Sequence, residues 1–139
     1  MSLKTRKRWV VKVGSQMVRA GGPILIRSWM QQIQKLRKKH NIQVIWVTSG
    51  AIAAAVERTD FKKPRDGWKL AEKQALSAIG QPILMDEYKL SLQSLGMMGA
   101  QVLLSYQDLA SNNGRENFSN TINQLLKWDV VPIINENDA

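Results

Sequence analysis

Three short segments of this chain combine residue types that bind or transfer charged groups. Asn135-Glu136-Asn137-Asp138 offers two amides and two carboxylates directly after the apolar run Val130-Val131-Pro132-Ile133-Ile134. Parallel strands leave backbone groups unpaired at their carboxyl ends, so a polar quartet there falls where α/β proteins hold ligands. It suits a metal, an amine or the polar ends of a small molecule. A plain polar turn is the competing explanation, because Asn and Asp are common in turns; the position after a buried strand favours a site.

Lys12 stands in the otherwise apolar Val10-Val11-Lys12-Val13, two residues before Gly14. An unpaired buried ammonium is costly, so this lysine needs an anion or a path to water. In one reading it snorkels past the strand end. In the other it is the point charge of a phosphate site, with the amides of Gly14 and Ser15 forming a concave anion cradle.

Thr48-Ser49-Gly50-Ala51 closes a second apolar run and opens an Ala-rich segment. Free amides and the helix dipole there face whatever sits above the sheet. Ser49 is also a good helix N-cap, which would explain it without a ligand. It is not a nucleophile candidate: the only histidine, His40, lies at the far end of the preceding helical tract.

The elements that must carry these residues alternate. Trp9 to Val13 reads as a strand and Gly21-Gly22-Pro23 as a turn. Ile26, Met30, Ile33 and Leu36 follow at helical spacing, ending in Lys38, Lys39 and His40 with Asn41 as a left-handed cap. Gln43 to Val47 is a second strand and Ala51 to Arg58 a helix. A basic loop, Thr59 to Gly67, leads to a helical tract from Trp68 to Leu95 that Gly80-Gln81-Pro82 should interrupt. Gly99 to Leu104 is a third strand, Phe118 to Leu126 a further amphipathic helix and Val130 to Ile134 a fourth strand. The expected fold is α/β, a three-layer αβα sandwich with a mainly parallel sheet and right-handed crossovers. A ligand edge is normally followed by another helix and strand, so the expectation is one incomplete domain over residues 1–139, the first half of something larger.

Composition narrows the function classes. The 139 residues are 44% hydrophobic and 22% charged, enough for a packed core. The absence of cysteine excludes disulfides, Fe–S clusters and thiolate zinc sites, and a cytoplasmic location is expected. Neither a signal peptide nor an apolar run long enough for a membrane span is present, so no membrane partner is expected. The net charge of +9 makes anions the expected partners. The cations cluster at Lys4 to Arg8, at Lys35 to His40 and at Lys62, Lys63 and Arg65, which also fits ordinary solvated faces. The Gly-x-x-x-x-Gly-Lys-Ser/Thr loop, Gly-x-Gly-x-x-Gly, His-Glu-x-x-His and the protein-kinase catalytic loop are all missing. Phosphate chemistry here needs another architecture.

Taken together, Val10-Val11-Lys12-Val13-Gly14-Ser15, Val47 to Ala54, Ala71-Glu72-Lys73-Gln74-Ala75 running to Ile79-Gly80-Gln81, and Val131 to Ala139 occur in an order and spacing that resembles the glutamate 5-kinases of the amino acid kinase superfamily. The resemblance covers nearly the whole chain. It implies transfer of the ATP γ-phosphoryl group, with Mg2+, to the side-chain carboxylate of L-glutamate, giving γ-glutamyl phosphate, the first step of proline synthesis. It implies Lys12 as the catalytic contact to the transferring phosphate, with Gly14 and Ser15 beside it. It implies Ser49, Gly50, Ala51, Asn135 and Asp138 as substrate-binding residues, and no protein-held metal. Only the amino-acid-binding half is matched; the nucleotide-binding half of the family pattern lies beyond Ala139, so the chain alone is expected to be inactive. Proline as feedback inhibitor and a homo-oligomer are further implications. Gln16 stands where the family commonly has a small hydroxyl residue, and Asn120-Thr121-Ile122-Asn123 where it has Asn-Ala-Arg/Thr.

Two other readings compete. The charge and the five tryptophans allow a basic nucleic-acid-binding module, although Trp9, Trp29, Trp46 and Trp128 are expected in the core rather than on a stacking surface. No specific nucleic acid is expected. A non-catalytic, self-associating remnant is the third, since an incomplete sheet exposes an apolar edge.

Overall fold

A computed structural model describes residues 6–138. Met1 to Thr5, including Lys4 of the first cationic cluster, and Ala139 lie outside the described residues. Four strands, β1 (Lys7–Lys12), β2 (Ile42–Val47), β3 (Gly99–Leu104) and β4 (Val131–Glu136), form one sheet in the order β1-β2-β4-β3. All three pairings are parallel. The helices are α1 (Ser15–His40), α2 (Ala51–Thr59), α3 (Leu70–Ser94), α4 (Tyr106–Ala110) and α5 (Asn112–Lys127).

Crossover handedness explains the layers. From β1 to β2 and from β2 to β3 the chain moves across the sheet in one direction; from β3 back to β4 it reverses. Right-handed connections therefore put their helices on opposite faces before and after the reversal. Ile26, Met30 and Ile33 of α1 and Leu84, Tyr88 and Leu92 of α3 pack with Val44, Trp46, Val131 and Ile133 in one core. Ile122 and Leu126 of α5 pack with Ile134 in a second, smaller core, flanked by Ile45, Val47 and Phe118. This is the expected three-layer αβα architecture. Among the described residues no helix is long and apolar enough to cross a membrane.

The structure departs from the sequence expectations at several elements. Strand β1 begins earlier and is an edge strand, so Trp9 and Val10 are 47% and 67% exposed rather than buried. Trp128, at the end of α5, is 67% exposed; Trp46 is buried and Trp29 packs against the core as expected. Helix α1 starts at Ser15, before the Gly21-Gly22-Pro23 turn, which survives as a kink with Gly22 at φ 50°. Pro23 lacks the N–H that would continue the helix and disfavours helical geometry at Gly22. Gly80-Gln81-Pro82 does not interrupt α3: Pro82 is exposed, as is Ala78, whose carbonyl loses its helical donor, so that carbonyl is open to solvent. Helix α4, absent from the sequence reading, is held by a capping box in which Ser105 Oγ accepts from the Asp108 amide and Asp108 accepts from the Ser105 amide. Asn41 is the left-handed cap of α1, its N–H donating to the Leu36 carbonyl.

Candidate functional site

The reversal of strand order opens a crevice between the carboxyl ends of β2 and β4, because the chain leaves β2 toward one face and reaches β4 from the other. A cavity of about 490 Å3 lies there. Its walls bring together Ser15, Ser49, Gly50, Ala51, Asn135 and Asp138. Residues more than a hundred positions apart in the sequence thus border one cavity. Lys12 and Gly14 do not line the cavity. Lys12 is exposed at the end of β1, level with Val47 of β2, and forms no ion pair among the described residues. The edge position supplies its route to water, so its ammonium needs no buried anion. Gly14 precedes α1 in extended geometry as its N-cap.

The β2–α2 turn is shaped by a glycine. Gly50, not Ser49, is the N-cap of α2, at φ 111°. A β-carbon is strained at that angle, so glycine is the residue that turns the chain into the helix here. Ser49 Oγ instead donates to the Val13 carbonyl at 3.2 Å, tying the turn to the β1–α1 connection. Ser49 as a capping side chain is thereby replaced by Ser49 as a brace between two loops. The Ala54 amide bonds the Gly50 carbonyl, and the earlier α2 amides at Ala51, Ile52 and Ala53 belong to residues that line the cavity. Their N–H groups and the helix dipole make that wall attractive to anions.

Strand β4 runs on through Asn135 and Glu136, so half of the polar quartet is strand rather than the loop after it. Asn135 is only 6% exposed. Its Nδ2 donates to Gln81 Oε1 at 2.7 Å, its Oδ1 accepts the Glu136 amide at 2.8 Å, and Gln81 Nε2 donates in turn to Gln101 Oε1 at 3.0 Å. The Asn135 side chain therefore fixes the strand end against α3 and β3. Glu136, Asn137 and Asp138 are exposed. A neighbouring recess of about 210 Å3 between α3 and β3 shares Ala51, Glu136 and Asp138 with the main cavity and holds Ser77, whose buried Oγ has no hydrogen-bond partner.

The sequence reading missed Arg19, Lys63 and Trp68 in the cavity wall. Arg19 is four residues after Ser15, one helical turn along α1, a spacing that could have flagged it once the helix was known to begin at Ser15. It is held at 3.4 Å from Glu57 of α2. Lys63 and Trp68 come from the loop before α3, and nothing in their local sequence marks that loop as reaching the cavity. The cavity lining thus mixes free helix amides and the cations Arg19 and Lys63 with the carboxylates Glu136 and Asp138. Among the described residues no three His, Asp or Glu side chains converge to hold a metal ion.

Comparison with known proteins agrees with this architecture. The sequence pattern of the amino acid kinase family matches residues 7–139. The chain is 40% identical over 137 residues to a glutamate 5-kinase of Desulfitobacterium hafniense (strain Y51), covering 96% of this chain and 36% of that protein. It is 44% identical over 140 residues to a glutamate 5-kinase of Leishmania donovani, covering 99% and 51%. A glutamate 5-kinase of Wolinella succinogenes is 43% identical over 136 residues, covering 96% and 50%. The chain spans about a third to a half of the length of these relatives.

Proposed function

The chain belongs to the amino acid kinase family, and we propose on that footing that it is the amino-acid-binding part of a glutamate 5-kinase, an incomplete domain whose nucleotide-binding half lies outside residues 1–139. The observation that carries this reading is the mixed charge of the cavity lining, in which α2 amides, Arg19 and Lys63 occur together with Glu136 and Asp138. L-Glutamate is a zwitterion with a second carboxylate. Its ammonium suits the Asp138 carboxylate, and a carboxylate suits the Gly50 and Ala51 amides after the Ser49 turn.

The reaction needs no activated protein nucleophile. A glutamate carboxylate is ionised at neutral pH, and one of its oxygens attacks the γ-phosphorus of ATP. A carboxylate O–P bond forms, the bond from that phosphorus to the β–γ bridging oxygen breaks, and ADP leaves with the electron pair. Lys12, with the Gly14 and Ser15 amides, is assigned to the charge on the transferring group, which this chain must neutralise rather than deprotonate. The described residues do not offer a cage for Mg2+, so the ion is assigned to the nucleotide phosphates and no step rests on it. The product is γ-glutamyl phosphate, consumed in proline synthesis. Association of two or more copies is part of the proposal, supported by the exposed edge strand β1 and an apolar groove of Val10, Ile45, Val47, Leu104 and Phe118 beside it.

Calorimetric titration of L-glutamate into the 139-residue chain, paired with an ADP-release assay, tests the reading. Saturable binding without turnover is expected. Absence of binding at tenfold above about 1 mM, the upper end of ordinary KM values, removes the glutamate assignment. Turnover within tenfold of the common enzyme range, about 1 to 10³ per second, removes the half-site assignment.

A further inference from the structure

Tyr88 has no part in the site as described, yet its hydroxyl leads to it. The side chain is fully buried on α3, its ring 6.2 Å from that of Trp46 and nearly edge-on. Trp46 Nε1 lies 3.0 Å from Tyr88 Oη, Thr48 Oγ1 lies 2.7 Å from the same oxygen, and Thr48 Oγ1 lies 3.1 Å from the Ser49 carbonyl.

Donor inventory fixes the direction of every bond. An indole N–H can only donate, so Tyr88 Oη accepts from Trp46. A carbonyl can only accept, so the single Thr48 hydroxyl proton goes to the Ser49 oxygen, leaving Thr48 Oγ1 to accept from Tyr88. Burial pushes the Tyr88 phenol above its ordinary range, which keeps it protonated and able to donate. The result is a one-way relay, Trp46 to Tyr88 to Thr48 to the Ser49 carbonyl. Each bond polarises the next in a low-dielectric interior.

The Ser49 carbonyl and the Gly50 N–H belong to one peptide unit, and Gly50 lines the cavity. Drawing electron density toward that oxygen makes the Gly50 N–H a stronger donor, and holding the oxygen fixes where the N–H points. We propose that Tyr88 is a positioning residue that orients and strengthens the Gly50 amide as an anion donor in the cavity. The consequence for glutamate rests on the function proposed above; the relay itself does not.

The test uses the isotopically labelled 139-residue chain with Tyr88→Phe, which keeps the ring and removes only the hydroxyl. Without ligand, the Gly50 amide proton resonance should move upfield. With ligand, L-glutamate affinity should fall about two- to tenfold, the equivalent of one hydrogen bond. Thr48→Val should give the same two changes, and the double variant no more than either alone, because both interrupt one chain. A folded Tyr88→Phe protein whose Gly50 resonance and affinity match wild type, with only its melting temperature lowered, overturns the proposal and leaves Tyr88 a packing residue. If Tyr88→Phe does not fold, Thr48→Val decides by the same readouts. If the wild-type chain fails to bind glutamate, the functional reading falls while the Gly50 resonance still decides the relay.

Discussion

A β-carbon placed on Gly80 would stand 1.6 Å from the carbonyl oxygen of Ala51. Helix α3 therefore crosses the first turn of α2 with backbone against backbone, and that contact sets the height of the α2 N-terminus above the sheet. The obstructing atom is main chain, so no rotamer change relieves it.

Gly80→Ala should accordingly push α2 away from α3 and displace the Gly50 and Ala51 amides. Overpacking of this kind costs about 1 to 3 kcal/mol. Urea unfolding should show that loss, and calorimetry on the folded variant should show weakened L-glutamate binding. An unchanged unfolding midpoint would mean that the two helices separate without penalty.

Acid stability should depend on Asp129. This residue sits in left-handed geometry at φ 59°, and the Arg37 guanidinium, 2.7 Å away and mostly buried, holds its carboxyl below the usual carboxylate range; Arg6 adds a weaker contact at 3.4 Å. A depressed folded pKa means that the stabilisation is fully present above the unfolded value, about 3.9, and is lost as pH falls through the lower folded value. Asp129 is 66% exposed, so solvent screening limits the effect to about 1 kcal/mol or less. Asp129→Asn tolerates the same backbone geometry. Its unfolding free energy should fall less steeply than wild type below about pH 4; parallel curves would remove the ion pair from the account of acid stability.

Lys12 and Asp138 should fail differently in a chimera joining residues 1–139 to the remainder of the Desulfitobacterium hafniense relative. Lys12→Ala should lower kcat by about 10²- to 10³-fold with little change in the KM for glutamate, since its charge is met chiefly in the transition state. Asp138→Ala should act mainly on glutamate KM and kcat/KM. Steady-state kinetics in which Lys12→Ala retained full kcat would take this residue out of the phosphate site.

Binding to nucleic acid should be weak and indifferent to sequence. A net charge of +9 attracts any polyanion through counterion release, so affinity should drop steeply as salt rises. Exposed Trp9 and Trp128 make this a real test rather than a formality. A sequence-selective complex tighter than about 10⁻⁸ M at physiological salt would favour the nucleic-acid reading over the kinase one.

The sequence by itself determined the alternation of strands and helices and the parallel sheet, and it marked the polar segments at the ends of β2 and β4. These follow from local causes: apolar runs bounded by glycine and proline, a helical period, and polar residues at strand ends. Gly99–Leu104 as a strand and Asn41 as a cap follow the same local rules. Tertiary structure alone decided what each polar side chain does. Whether Ser49 caps a helix or braces Val13 depends on the left-handed turn at Gly50 and on how near the β1–α1 loop comes. Whether Asn135 faces a ligand or Gln81 depends on a helix 54 residues earlier in the chain. Pro82 breaks a helix in the local view, yet α3 runs through it, because packing of Leu84, Tyr88 and Leu92 in the core with the sheet outweighs one missing hydrogen bond. Trp9 and Lys12 are exposed because β1 is an edge, a property of strand order that pattern along one strand does not carry.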